Sequence, residues 1–278
     1  MDEYNFSVLM SVYAKEQPEF LRAALQSNLE EQTLLPNELV LICDGPLTDR
    51  LDDVIGQFQE RHPEVLRVFR LQENGGLGKA LDYGLQQCRF DWVARSDSDD
   101  ICDSRRFENQ IAYLREHPEI DILGSHIDEF ESDWEVPARK KRMPLTGAGI
   151  KAMAKTRNPI NHTTVVFRKS VVLAVGSYQH LPYMEDYFLW VRAICGGAKL
   201  ANIDQYLVHV RVGNGMVGRR GNRAQIASRR KLNEYMLQNG LIGRLGAAKN
   251  LVCIAVFTSC PDWARKLLYD TLLRKKTR

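Results

Sequence analysis

Four strand-like runs, separated by segments of helical period, constrain this chain more than any other feature of its 278 residues. Phe6–Tyr13 reads as a buried strand, Glu38–Cys43 as a second, continuously apolar one, Leu66–Leu71 as a third and Phe90–Ala94 as an apolar fourth. Between them, Glu19–Glu31 carries Phe20, Leu21, Ala24, Leu25 and Leu29 at helical spacing, and Leu51–Arg61 and Gly78–Cys88 repeat the pattern. Strands alternating with helices over such short distances predict an α/β fold, a mostly parallel sheet with helices on both faces. Ligands of such sheets bind beyond the carboxyl ends of the strands. Asp44, the loop Asn74–Lys79 and the acidic run Asp97–Asp100 all fall at those ends.

The second half is less regular. Arg105–Glu116 and Met184–Cys195 predict helices, and Ile120–Phe130, Thr164–Phe167 and Leu207–Val212 predict strands, with Pro137–Met143 as a polar, basic loop. Residues 213–222 hold four glycines and the pair Arg219-Arg220, which predicts a mobile loop; beyond Gln225 the pattern is helical and basic. The expected division is a main domain over 1–222 and a helical tail over 223–278. Charge follows the same division: residues 211–278 contain fifteen Lys and Arg against three acids, so the rest of the chain is net negative. A basic tail on an acidic body fits an anionic membrane surface. Nucleic acid is not the expected partner, because Phe257, Trp263 and Tyr269 lie among aliphatics instead of alternating with basic residues. Leu251–Phe257 is apolar but far short of the ~20 residues that span a bilayer. Trp263, Leu267, Leu268, Leu272 and Leu273 can share one greasy helical face, with Arg and Lys elsewhere, as in a helix lying among lipid headgroups. The six cysteines show no CxxC pair and read as reduced packing residues, and the polar start Met1–Asn5 predicts no signal peptide.

The chemistry concentrates in three places. An apolar strand runs into Asp97-Ser98-Asp99-Asp100, whose carboxylates at i and i+2 can aim at one hard cation that keeps positions open for phosphate oxygens. Taken alone, such a run is equally an acidic turn or a helix cap. Asn74-Gly-Gly-Leu-Gly-Lys79 opens a helix and can present amides to an anion, although it lacks the spacing of a P-loop; no GxGxxG follows the first strand, which argues against a dinucleotide redox enzyme. Glu185-Asp186 places two acids in the first turn of a helix, where they complement its dipole whatever else they do.

Together, Ser7–Tyr13, Cys43-Asp44-Gly45, Asn74–Ala80, Asp97–Asp100 and Glu185-Asp186 resemble the ordered motifs of the family-2 glycosyltransferases, over roughly residues 5–210. The likeness is closest to bacterial enzymes of amylovoran, capsule and O-antigen assembly. It implies the GT-A nucleotide-diphospho-sugar transferase fold. It also implies that Ser11, Val12, Tyr13 and Asp44 hold uracil and ribose, with Asn74, Lys79 and Ser98 lining the nucleotide-sugar site. Asp97 then lies near the ribose, and Asp99, with Asp97, holds the Mn²⁺ or Mg²⁺ that bridges the diphosphate. Asp186, beside Glu185, is the family's general base for an inverting transfer. Arg219 and Arg220 would close on the diphosphate. The processive QxxRW signature is absent after Asp186, which implies transfer of one sugar per encounter. The implied partners are a UDP-sugar donor and a polyprenyl-diphosphate-linked acceptor sugar, at the cytoplasmic face of a bacterial inner membrane. A nucleotidyltransferase and a non-catalytic nucleotide- or polysaccharide-binding module remain alternatives at this stage.

Overall fold

The computed structural model describes residues 3–212, 224–259 and 275–276. Its order is β1 (Phe6–Val12), α1 (Pro18–Leu29), β2 (Glu38–Cys43), α2 (Asp49–Arg61), β3 (Leu66–Arg70), α3 (Leu77–Gln87), β4 (Trp92–Asp97), β5 (Ile101–Cys102) and α4 (Arg106–Glu116). Then follow β6 (Ile122–Phe130), β7 (Arg139–Lys141), α5 (Gly147–Ala154), a 3₁₀ turn (His162–Thr164), β8 (Val166–Arg168), α6 (Lys169–Ala174), α7 (Glu185–Cys195) and β9 (Leu200–Arg211). The last elements are α8 (Ala224–Gln238), α9 (Arg244–Ser259) and β10 (Lys275–Lys276).

The sheet runs β10-β7-β6-β8-β4-β1-β2-β3, with β9 alongside β6 and β5. Strands β4, β1, β2 and β3 are parallel, and every residue of β2 is buried. Side-chain alternation sends Val8, Met10 and Val12 to one face, against Leu21 and Leu25 of α1 and Phe107 of α4. Leu9, Val40 and Ile42 point to the other, against Ala80, Leu81 and Leu85 of α3 and Trp190 of α7. Helices therefore cover both faces, as expected. Contact with α3 is close because of Gly84: a Cβ there would stand 2.6 Å from Leu9 Cδ1 and 2.7 Å from Ile42 Cγ1. Gly84→Ala overpacks this seam and costs about 1–3 kcal/mol, a change readable by thermal unfolding.

The β6–β9 pair is parallel too, so the sheet is mostly parallel as expected, with short antiparallel pairings of β8 to β4 and β6 and of β7 to β6. Two expectations need correction. The basic segment 137–143 is not simply a loop: Arg139–Lys141 is an edge strand on β6, stabilised by main-chain pairing that a basic sequence does not advertise. The tail is not helical throughout, since Lys275–Lys276 pairs with β7. Helix α8 packs Leu232 and Met236 against Met184, Tyr187 and Val191, so it shares a small core with α7. The expected greasy face at 263–273 lies outside the described residues. Among the described residues no helix is long and apolar enough to cross a membrane.

Candidate active site

Parallel register brings the sequence motifs to one edge. Ser11 pairs with Ile42 of β2 and with Asp97 of β4, so β1, β2 and β4 end side by side. Beyond them Val12 is buried and Tyr13 is exposed. Buried Asp44 receives hydrogen bonds from Gly75 N (2.8 Å) and Gly76 N (3.0 Å), and Asn74 Nδ2 donates to its carbonyl (3.1 Å). Its carboxylate is thus the strut that fixes the glycine-rich loop. Gly45 makes this approach feasible: its φ is +84°, and a Cβ would meet Asn74 N at 2.7 Å. Lys79 folds its aliphatic stem back over Gly75 and keeps its head exposed.

The acidic run is a compact cluster. Asp97, Asp99 and Asp100 each offer a carboxylate oxygen, all within 4.8 Å of one another. Arg95, fully buried two residues back on β4, grips the Asp97 carboxylate with both terminal nitrogens. Asp100 accepts from Thr163 Oγ1 (2.8 Å) and Arg211 N (3.0 Å), while Arg211 Nε donates to the Asp99 carbonyl (3.2 Å). Ser98 Oγ donates to Glu16 Oε2 (2.7 Å). Among the described residues, the Asp99 carboxylate receives no bond from another side chain. Burial, and then the charges of Asp97 and Glu16, push its pKa up to about 7; burial, and then the charges of Asp99 and Asp97, hold Asp100 well above the usual carboxylate range. Hard oxygen donors crowded until they repel one another are the donor set that Mg²⁺ or Mn²⁺ requires. The three carboxylates fit a divalent cation.

The N-terminus of α7 lies within reach of the charge of Arg95, the residue that grips Asp97. Glu185 rests on the first turn of α3, its Cγ 3.3 Å from where a Gly78 Cβ would be. Asp186 Oδ1 accepts from Tyr187 N (2.7 Å) and Oδ2 from Asn158 Nδ2 (2.5 Å). Burial raises the pKa of Asp186, and these two bonds oppose the rise. Burial also raises Glu185. A carboxylate shifted upward and oriented by an amide can take a proton from a hydroxyl near neutral pH.

The turn that carries Asn158 is held from behind. Tyr187 Oη donates to Ala154 O (2.7 Å), Asn250 Nδ2 to Lys155 O (2.8 Å), and Arg229 Nη2 to Thr156 O (3.1 Å). Helices α8 and α9 thereby brace the catalytic side. His162 is half-buried and hydrogen-bonded to Tyr178 (2.9 Å), its pKa lowered well below normal by desolvation and by the charge of Arg95. His209 pairs with Asp128 (2.7 Å).

The fold therefore unites the expected residues at one edge, except Arg219 and Arg220, which lie outside the described residues. Arg95, Asn158, Thr163, Arg211 and Arg229 were not foreseen. Only Arg95 had a signal, its i, i+2 spacing from Asp97 on one strand face.

A doubly covered sheet with an acidic cluster at the end of β4 and a half-buried, hydrogen-bonded carboxylate at the start of α7 has the arrangement of a GT-A type transferase. The sequence agrees: residues 7–176 match Glycosyl transferase family 2, and the chain belongs to that family. It is 46% identical to the Amylovoran biosynthesis glycosyltransferase AmsE of Erwinia amylovora over 77% of this chain and 79% of that protein. It is 34% identical to the UDP-Gal:alpha-D-GlcNAc-diphosphoundecaprenol beta-1,3-galactosyltransferase of Escherichia coli over 99% and 98%. The fold is shared with S. aureus TarS (residues 1–349) in complex with UDP, at TM-score 0.65 and 20% identity, over 90% of this chain and 70% of that one. The protein is a glycosyltransferase, which decides against the nucleotidyltransferase and the binding module.

Proposed function

We propose that this enzyme moves a hexose, one per encounter and with inversion, from a UDP-sugar to a lipid-diphosphate-linked acceptor sugar in bacterial surface polysaccharide assembly. The observation that carries the reading is Asp186, half-buried, aimed by Asn158 and within reach of the charge of Arg95, the residue that grips Asp97 of the Asp97–Asp99–Asp100 cluster. The β-galactosyltransferase named above, similar along nearly its whole length, supports the substrate classes.

Asp186 takes the proton of the acceptor hydroxyl as its oxygen attacks the anomeric carbon. The bond from that carbon to the diphosphate oxygen breaks, and UDP leaves with the electron pair. Attack opposite the leaving group inverts the centre without a covalent enzyme intermediate. A divalent cation held by Asp99 and Asp97 would neutralise charge on the departing diphosphate. Arg95 fixes the Asp97 carboxylate, Arg211 fixes the Asp99–Asp100 backbone, and Asp44 fixes the loop that faces the nucleotide. The basic tail would keep the enzyme at the cytoplasmic face of the membrane, where such acceptors reside.

The test is a donor screen against a synthetic GlcNAc-diphospho-lipid with the product linkage read by NMR. A β-linked product from an α-linked UDP-hexose, formed with Mn²⁺ or Mg²⁺ and lost on chelation, is the expected result. An α-linked product overturns the base role of Asp186.

A further inference from the structure

Helix α9 is apolar on the wrong side. Its buried residues are Ala247 and Asn250, yet the opposite stripe is Leu245, Lys249, Val252 and Val256. Leu245 is 89% exposed, Val252 62% and Val256 57%. A surface helix ordinarily turns its aliphatics inward and its polar residues out. Here the inward Asn250 is engaged on Lys155 O and Asn233, while three large aliphatics face outward at positions i, i+7 and i+11. Beside the stripe is a groove of about 580 Å³, lined by Lys155, Thr156, Gly243, Lys249 and Asn250. Both lysines are exposed at its rim, and Arg244 is exposed at the start of the helix.

We infer that the outer stripe of α9 and the Lys155–Lys249 groove form one docking surface for an anionic phospholipid bilayer. Leu245, Val252 and Val256 enter the headgroup boundary, and the two lysines meet lipid phosphates. Charge selects this occupant over a second copy of the chain. A twofold-symmetric pairing through the stripe would set Lys249 against its own equivalent, a like-charge contact that costs affinity. Lipid phosphates neutralise the same cations, and each basic residue near such a surface strengthens binding. The inference rests on the lipid-linked acceptor reading for its purpose, because the turn bearing Lys155 and Thr156 also bears Asn158, the partner of Asp186. The surface thus brings the lipid close to the base.

Flotation of the full chain with phosphatidylglycerol–phosphatidylcholine vesicles tests this without any substrate. The wild type floats with anionic vesicles, less with pure phosphatidylcholine, and is released by salt. Val252→Glu with Val256→Glu weakens binding by about tenfold or more. Lys155→Gln with Lys249→Gln removes the preference for anionic lipid. All four positions are exposed, so unchanged circular dichroism and melting temperature are expected for both variants. Wild-type protein that stays unbound, or a double-glutamate variant that binds as well as wild type, overturns the inference. So does a dimer in sedimentation that the glutamates dissolve, since the stripe would then belong to a second copy. Transfer to a short, water-soluble acceptor diphosphate is read separately: its absence in the wild type counts against the function reading, while vesicle binding alone decides this one.

Discussion

The molecule keeps its acids in two settings that differ in what raises them. Around Asp99, burial is joined by the charges of Asp97 and Glu16, so the group is crowded by its own sign. Around Asp186, burial acts against two hydrogen bonds, from Tyr187 N and Asn158. A crowded carboxylate is relieved by a cation; an uncrowded, oriented one is suited to exchanging a proton. The same residue type is thus prepared for two jobs by its neighbours alone.

That contrast can be broken at several points. Asp186→Asn should lower transfer by about 10²–10⁴-fold and leave Mn²⁺ binding unchanged, measured by product formation and by calorimetry. A loss of metal affinity in this variant would merge the two centres. Asp99→Asn should do the reverse to binding: cation affinity falls by more than about tenfold and the cation-induced rise in melting temperature disappears, while the metal-free protein is at least as stable as wild type because a repulsion is gone. Asn158→Ala should cost transfer about tenfold, in line with loss of a charge-assisted hydrogen bond of roughly 1.5–3 kcal/mol. It also moves the acid limb of the pH–rate profile to higher pH, since the bond it removes holds the Asp186 pKa down.

The smallest effect is one of pH. The ordinary pKa of an aspartate is 3.8 and that of Asp99 in the folded chain is about 7, so between them the native state binds more protons than the unfolded chain. Metal-free stability therefore declines as pH rises through that window. Cation affinity moves the opposite way, weakening about tenfold per pH unit below neutrality as the Asp99 proton competes. Calorimetric titration of Mn²⁺ between about pH 5.5 and 8 checks the slope; a flat profile would place the metal elsewhere.

Sequence legibility follows the physics of each half. Strands β1, β2 and β4 were readable because burial on both faces demands unbroken apolar residues, and the parallel crossovers then dictate where the motifs meet. Strand β7 was not, because Arg139–Lys141 lies at an edge and is held by main-chain bonds to β6. Helix α5, Gly147–Ala154, was hidden by its two glycines and short length. The Asp44 carboxylate accepts from Gly75 N and Gly76 N, a partnership invisible until strand ends are juxtaposed. Asn158 was beyond reach, since nothing local announces a contact 28 residues away.

The brace behind Asp186 grips only main-chain oxygens, those of Ala154, Lys155 and Thr156, while the side chains of Lys155, Thr156 and Arg157 remain exposed. Fasteners that ignore side-chain identity leave Thr156 and Arg157 free to drift. The turn can then diversify at these two positions without loosening the carboxylate it supports, which makes 156–157 the natural window for a saturation library.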